Sequence, residues 1–399
     1  MTVHADQHTS HATALAELST LAETFAERAD GYDRTASFPT QDFADLVAAG
    51  LHAPTVPRSH GGLGLGPLHG DTHGLWLMTK RLAAADLSLA RCWEGHTNSL
   101  VLIDALGSEA QKSRWFDGVV GRGEKWVAWS GEPRAPKPGE SKGFGTTVRR
   151  EGDGWIVDGT KVFATSATGA DWAILLVDTA GPGGARNSSS ADGAGVLMLA
   201  CELGDPSVSV DSSWWDPIGM RATVSHLVRF DHTYIPDSQR IGSPGDYLRQ
   251  GWQTAFIPHY AASFLGAAEA AYEYALSYVA RQHKSTDPYV QHRVGAMAVD
   301  VETGGLWLRH VADLWDSGRV MEARMAGSRA RHLVEHLALD TVDHCVRACG
   351  ARCLVRPSPV ERIQRDLLFY VRHDNDDHIL ATIGRSVLGE AYDQSFYKP

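Results

Sequence analysis

Helical spacing gives way to strand-and-turn patterning at Trp126 and returns after Gly251. One block of strands between two blocks of helices excludes most folds open to a chain of 399 residues. In the first block Leu15, Leu18, Ala22 and Phe25 recur at steps of three and four, which predicts one face of a helix. A second helix is expected to start after Phe38-Pro39-Thr40 and to end at Gly50, with Pro early and Gly late. Asp86 and Ser88 stand where they would cap an apolar helix running to Gly107, and Ser108 with Gln111 has capping-box spacing for the next one. The stretch 56–64, rich in Gly, reads as a loop. In the middle block strands are predicted over 126–130, 155–157, 172–177, 196–200 and 226–230, with tight turns at Gly152-Asp153-Gly154 and Asp158-Gly159. The polar, Gly-rich stretches 134–145 and 181–195 read as mobile surface loops. Helices are then expected over 256–281, 290–315 and 321–347. A doubly wound fold is excluded, because strands and helices do not alternate and no GxGxxG joins a strand to a helix. The expected division is a helical domain over 1–124, a β domain over 125–240 and a helical domain over 241–399.

Charge narrows the partners. With 37 basic against 48 acidic residues the formal charge is −11, so phosphate backbones and anionic lipid are repelled. Five cysteines in so long a chain make no disulfide framework, which points to a reducing, cytoplasmic compartment. No apolar run reaches the ~20 residues that span a bilayer, and the first dozen residues lack the pattern of a signal peptide. The 12 Trp outnumber both Tyr and Phe, and either fill a core or line an aromatic pocket.

Residues at the block junctions carry a resemblance. Gly50-Leu51, Val56-Pro57 and His60-Gly61-Gly62-Leu63-Gly64-Leu65 come first, followed by Gly107-Ser108-Glu109-Ala110-Gln111-Lys112. Glu132-Pro133, Asp153-Gly154-Trp155 and Gly159-Thr160-Lys161-Val162-Phe163-Ala164-Thr165 follow, then Ile218-Gly219-Met220-Arg221-Ala222-Thr223, and last Pro359-Val360-Glu361 with Arg365-Asp366. In this order they resemble the acyl-CoA dehydrogenase superfamily of flavoproteins, over about 16–389. The resemblance implies an α+β fold: an N-terminal helical domain, a β-barrel-like middle domain and a C-terminal four-helix bundle, assembled as a homodimer or homotetramer. The family's dehydrogenases take the substrate α-proton with the glutamate of a Tyr-Glu-Gly-Thr run that starts eight residues after the Arg of Arg-Asp. Here that run begins His373-Asp374, and the other place where members carry a glutamate, Ile257-Pro258-His259-Tyr260, has none. His-Asp resembles instead the two-component flavin monooxygenases that oxygenate dibenzothiophene and indole. That branch implies reduced FAD (or FMN) from a separate reductase, O2, a C4a-hydroperoxyflavin kept in a water-poor pocket, and an aromatic, indole-like substrate. Acyl-thioester dehydrogenation and N-oxygenation of an amine or amino sugar are the alternatives.

Within that frame His373 is the expected catalytic residue, since an imidazole of ordinary pKa near 6.5 takes a proton or a hydrogen bond at neutral pH. A satisfied interfacial histidine is the plain alternative. Asp374 is expected to orient His373 or to cap the helix that begins near Asn375. Thr165 matches the hydroxyl that the family sets against flavin N5 and O4, and Phe163 the usual ring-contacting Trp; both are also ordinary strand formers. Trp126, Ser130, Arg281 and Gly350 complete the expected flavin contacts. Ser130 precedes Gly131, where the family has Thr or Ser. Arg281 matches the arginine that reaches a neighbouring subunit's FAD pyrophosphate, and Gly350 the Gly-Gly near the adenosine. Trp93, His96, Trp129, Trp215 and His259 are the expected substrate contacts, with ordinary packing as the alternative for each. Cys345, Cys349 and Cys353 fall at steps of four, but Gly350 interrupts the helix that would align them. They are expected to be buried small hydrophobes, with no metal.

Overall fold

The computed structural model describes residues 11–133, 146–179 and 195–390; the stretch 134–145 and all of 181–195 except Gly195 lie outside the described residues. The first block contains α1 (His11–Thr35), α2 (Thr40–Ala48), α3 (Thr72–Ala85), α4 (Leu87–Leu106) and α5 (Glu109–Arg122). The face of α1 that periodicity marks is buried at Leu18, Ala22 and Phe25, with Leu15 at its rim. Asp86 caps α4 by accepting the Ser88 N–H at 2.9 Å, and Ser108 with Gln111 forms the complete capping box of α5. The sequence does not announce α3. Asp71 caps it from a left-handed φ of 52°, and none of its residues is exposed, so it lacks the polar face that gives a helical period.

Among the described residues the strands are β1 (Trp126–Trp129), β2 (Thr147–Glu151), β3 (Gly154–Ala164), β4 (Trp172–Asp178), β5 (Val196–Glu202), β6 (Val208–Asp211), β7 (His226–Pro236) and β8 (Arg240–Ile241). They form one sheet in the order β6-β7-β3-β2-β4-β5-β8, with β1 parallel to β4. Side chains alternate between the faces of a strand, and β4 and β5 use both. Trp172, Ile174 and Leu176 join the helical core, as do Val196, Met198 and Ala200. Ala173, Leu175 and Val177, with Leu197, Leu199 and Cys201, pack a second core inside the sheet. Burial on both sides explains why these strands read as unbroken apolar runs. The short, mainly exposed β2 and β6 carry no such signal. Asp158-Gly159 does not make a turn: it lies within β3, where the register to β7 shifts between Val157 and Gly159. Gly159 has φ 143°, and a Cβ there would stand 2.7 Å from the Thr146 Cα, so the bulge needs glycine.

The last block holds α6 (Asp246–Arg249), α7 (Trp252–Ala255), α8 (Ile257–Arg281), α9 (Pro288–Asp316), α10 (Val320–Cys349), α11 (Pro359–Tyr370) and α12 (Asp376–Val387). Residues 257–268 of α8 are buried without interruption, because α3, α9 and α10 cover that helix on all sides. Gly350, at φ 74°, ends α10, so Cys353 sits on a separate turn from Cys345 and Cys349; all five cysteines are buried free thiols. Among the described residues no helix is long and apolar enough to cross a membrane.

Candidate functional site

The C-terminal end of β3 departs from regular strand geometry. Phe163 has φ 50° at a second register shift, which turns its ring out of the sheet and leaves 57% of the residue exposed. Trp214 meets that ring edge-on at 5.0 Å and Trp215 at 6.2 Å. Of the 12 tryptophans, all within the described residues, only Trp214 is more than a third exposed. Trp215 is fixed by its indole N–H to the Arg221 carbonyl at 3.0 Å and by the Phe369 ring of α11 at 5.6 Å.

Thr165 lies beside this aromatic wall. Its hydroxyl accepts from Ser225 at 3.1 Å, and Ser225 in turn contacts the Thr223 hydroxyl at 2.8 Å. Because Thr165 accepts on this side, its own proton is left to donate. Trp129 braces the position by donating its indole N–H to the Thr165 carbonyl at 3.0 Å. Ser130 is exposed just before Gly131. The Gly131 carbonyl accepts the Val162 N–H at 3.1 Å, and a Cβ on Gly131 would fall 2.3 Å from the Val162 carbonyl oxygen. That approach explains why glycine replaces a hydroxyl residue here. Gly131→Ser is therefore expected to destabilise the chain by about 1–3 kcal/mol, measured as a lower denaturant midpoint at unchanged slope. A neutral result would show that β3 can give way at Val162.

α4, which packs against the 221–223 turn, carries Arg91, whose Nη2 lies 3.4 Å from His373 Nε2 and whose Nη1 lies 3.2 Å from Glu94. Its guanidinium also sits over the Tyr370 ring at 5.8 Å. The Tyr370 hydroxyl donates to Glu94 at 2.5 Å, with Ser263 at 3.4 Å. Arginine has no acceptor, so His373 Nε2 accepts and Nδ1 carries the proton. The ring is accessible to solvent yet surrounded by protein at depth, as in a residue lining a recess, with Tyr260 at 5.3 Å and Tyr370 at 5.9 Å. Desolvation first, then Arg91 and Arg331, push its pKa well down from 6.5, so the imidazole is neutral at physiological pH. This corrects the expectation of an ordinary, titrating histidine.

Asp374 does not orient His373. One of its oxygens accepts from the Tyr260 hydroxyl at 2.6 Å and the other pairs with Arg331. The cap of α12 comes instead from Asn375, which accepts the His378 N–H at 3.2 Å. Two links bring His373 toward Thr165. Cys92, next to Arg91 on α4, approaches the Thr223 carbonyl at 4.0 Å, and Phe369, next to Tyr370 on α11, packs on Trp215.

Four expected contacts are core residues instead. Trp126 is buried between Trp115 at 5.1 Å and Trp172 at 5.2 Å, on the opposite face of β1 from Trp129. Trp93 is buried and donates to the Leu51 carbonyl at 3.3 Å. His96 accepts the Trp126 N–H at 2.9 Å, and burial lowers its pKa to about 3. His259 is enclosed with its two ring nitrogens at 2.6 Å from Thr79 and 2.7 Å from Asn98. The reason is common to the last three: α4 and α8 are interior helices, so aromatic side chains on them fill helix interfaces. Arg281 is exposed in the last turn of α8. The Cys349 thiol pKa is lowered chiefly by its hydrogen bond with Cys345, and the charges of Lys284 and Arg281 act in the same direction. Sequence reasoning missed Arg91, Glu94, Trp214, Tyr260, Arg331 and Tyr370. The usable signal was charge inside apolar helices, since Arg91 and Glu94 of α4 are costly to bury unless paired.

Three family profiles match in order: the acyl-CoA dehydrogenase N-terminal domain over 10–122, the middle domain over 139–233 and the C-terminal domain over 259–375. The putative acyl-CoA dehydrogenase YdbM of Bacillus subtilis (strain 168) is 26% identical over 375 residues, covering 88% of this chain and 90% of its own. A dibenzothiophene monooxygenase of Rhodococcus erythropolis is 25% identical over 403 residues, covering 93% and 92%. Among solved structures, TdsC from Paenibacillus sp. A11-2 in complex with FMN and indole shares the fold, with a TM-score of 0.84 at 23% identity over 96% of this chain and 99% of that one.

Proposed function

Because this chain belongs to the acyl-CoA dehydrogenase family, we propose that it is a flavin-dependent monooxygenase. In this reading it uses reduced FAD, with FMN as the alternative, supplied by a separate reductase. The substrate is an aromatic or N-heteroaromatic molecule of indole-like size. The dibenzothiophene monooxygenase relative and the indole-bound TdsC fold support that choice.

The cleft residues fit a flat, hydrogen-bonding ring system. Phe163 and Trp214 offer exposed aromatic surface beside the donor proton of Thr165. A bound reduced flavin would supply the electrons that let one atom of O2 enter the substrate while the other leaves as water. Thr165 would donate to the polar edge of such a ring, and Ser225 and Trp129 keep it in place. The Phe163–Trp214–Trp215 wall keeps water off that side. Arg91 fixes one nitrogen of His373 and leaves Nδ1–H to donate into the recess. Arg281, on the outer end of α8, is suited to a pyrophosphate in an assembled oligomer.

The observation that carries this reading is the neutral, accessible His373 where a dehydrogenase needs a free carboxylate. Asp374 is paired with Arg331 and Tyr260, and Glu94 is buried against Arg91, Tyr370 and Ser263. Neither is free to take an α-proton. The test supplies chemically reduced flavin, isotopically labelled O2 and a panel of indole and fused heteroaromatics. One labelled oxygen atom per product is expected. Unlabelled substrate throughout, together with anaerobic bleaching of bound oxidised flavin by an acyl-thioester, would establish the dehydrogenase alternative. Phe163→Ala is expected to weaken flavin binding about tenfold, equivalent to ~1.4 kcal/mol of lost ring contact, in a fluorescence titration. Phe163→Trp should retain it.

A further inference from the structure

Away from the residues proposed to hold the flavin, three ligand-type side chains converge where α10 meets α12. His332 and His336 are one helical turn apart, so their rings share a face, with centroids 4.5 Å apart. Asp376, the first residue of α12, turns its carboxylate toward both, with Oδ2 at 3.0 Å from His332 Nδ1 and 3.6 Å from His336 Nε2. The donor atoms of all three lie within 4.8 Å of one another. A hydrogen bond accounts for His332 but not for His336, whose distance is too long for one. Ligand atoms of a tetrahedral site with bonds near 2.0–2.1 Å stand about 3.4 Å apart, a spacing that 3.0 and 3.6 Å bracket.

We propose that His332, His336 and Asp376 bind one divalent transition-metal ion. Zn2+ is the best match to two imidazoles and a carboxylate, and water completes the shell. Ca2+ and Mg2+ prefer all-oxygen sets. Arg331 Nη1 lies 2.9 Å from Asp376 Oδ1, which steadies the carboxylate while Oδ2 faces the imidazoles. The guanidinium is also paired with Asp374 and Glu335, so it does not cancel the charge that Asp376 offers a cation. The His336 side chain is 54% exposed, which gives the ion a path in and leaves room for water. Such an ion ties the start of α12 to α10 and so clamps the turn 373–375 that carries His373. The site is independent of the flavin reading.

The test uses the full chain without a histidine tag, stripped with a chelator and titrated calorimetrically with ZnCl2. One Zn2+ per chain with micromolar or tighter affinity is expected. His336→Ala, a change at a largely exposed side chain, and His332→Gln should each weaken binding at least about 100-fold. His232→Ala, at the exposed Asp158–Asp231–His232 group on the sheet, should leave it unchanged. With CoCl2, a visible absorption band of a four- or five-coordinate imidazole site should appear and vanish in His336→Ala. Absence of saturable binding overturns the proposal, as does binding that survives both helix substitutions or is lost on His232→Ala.

Discussion

His373→Ala is expected to lower oxygen transfer at least about 100-fold while flavin affinity stays within a few-fold of the unsubstituted protein, because a positioned hydrogen-bonding group contributes about that much or more to rate. The imidazole lines the recess beside Tyr260 and Tyr370 and is not buried in the core, so its removal leaves the fold standing. Single-turnover oxygenation from preloaded reduced flavin separates the chemical step from binding. Turnover that survives the substitution would remove His373 from the reaction. The pH dependence follows from the direction of its shift. The folded pKa is depressed, so the proton has already left well below pH 6 and raising the pH from 6 to 8 does not change its charge. The oxygen-transfer step should therefore show no imidazole titration across that range. An inflection near 6.5 that disappears in His373→Asn would mean the recess is wetter than its burial implies.

Arg331→Met should cost about 3–5 kcal/mol of stability, the range for removing one partner of a buried ion pair. The arginine is wholly buried and pairs with Asp374, Glu335 and Asp376 while donating to the Val371 carbonyl at 2.9 Å. Without it, Asp374 keeps only the Tyr260 hydroxyl as hydrogen-bond donor, and Glu335 keeps Arg372 at 3.1 Å. Those remaining partners set the size of the loss, which a denaturant midpoint at constant slope measures. Arg331→Lys should recover only part of it, since one ammonium cannot reproduce the fork that serves three carboxylates. A loss under about 1 kcal/mol would show that these acids are solvated or protonated in the folded chain, so that little charge is stranded. Both substitutions bear on one turn, because Arg331 fixes the segment on which His373 stands.

How much of the site was legible depended on how local its geometry is. Thr165 and Phe163 belong to a short run with its own turn chemistry, and the structure sets them side by side at the end of β3, with the Phe163 ring exposed. Ser108–Gln111 is a local cap for the same reason, whereas the cap of α12 falls to Asn375 and not to the expected Asp374. Trp126 and Trp129 are three residues apart on one strand, and strand alternation sends them to opposite faces. Nothing in their identity says which face meets a ligand, and that face is decided by α5 and by the Trp172 ring packed on Trp126. Trp93 and His259 failed as pocket residues because α4 and α8 are covered on every side by helices distant in sequence.

The helix–sheet–helix order, the caps of α4 and α5, the apolar runs of β4 and β5 and the family motifs were all readable along the chain, because they follow from short-range periodicity and steric preference. Long-range packing set the state of His373, the commitment of Asp374 to Arg331, and the meeting of His332 and His336 with Asp376 across 40 residues. Burial and charge at a site are sums over neighbours from separate parts of the chain. The same imidazole is an ordinary base in water and a neutral hydrogen-bonding group where the protein desolvates it beside Arg91 and Arg331.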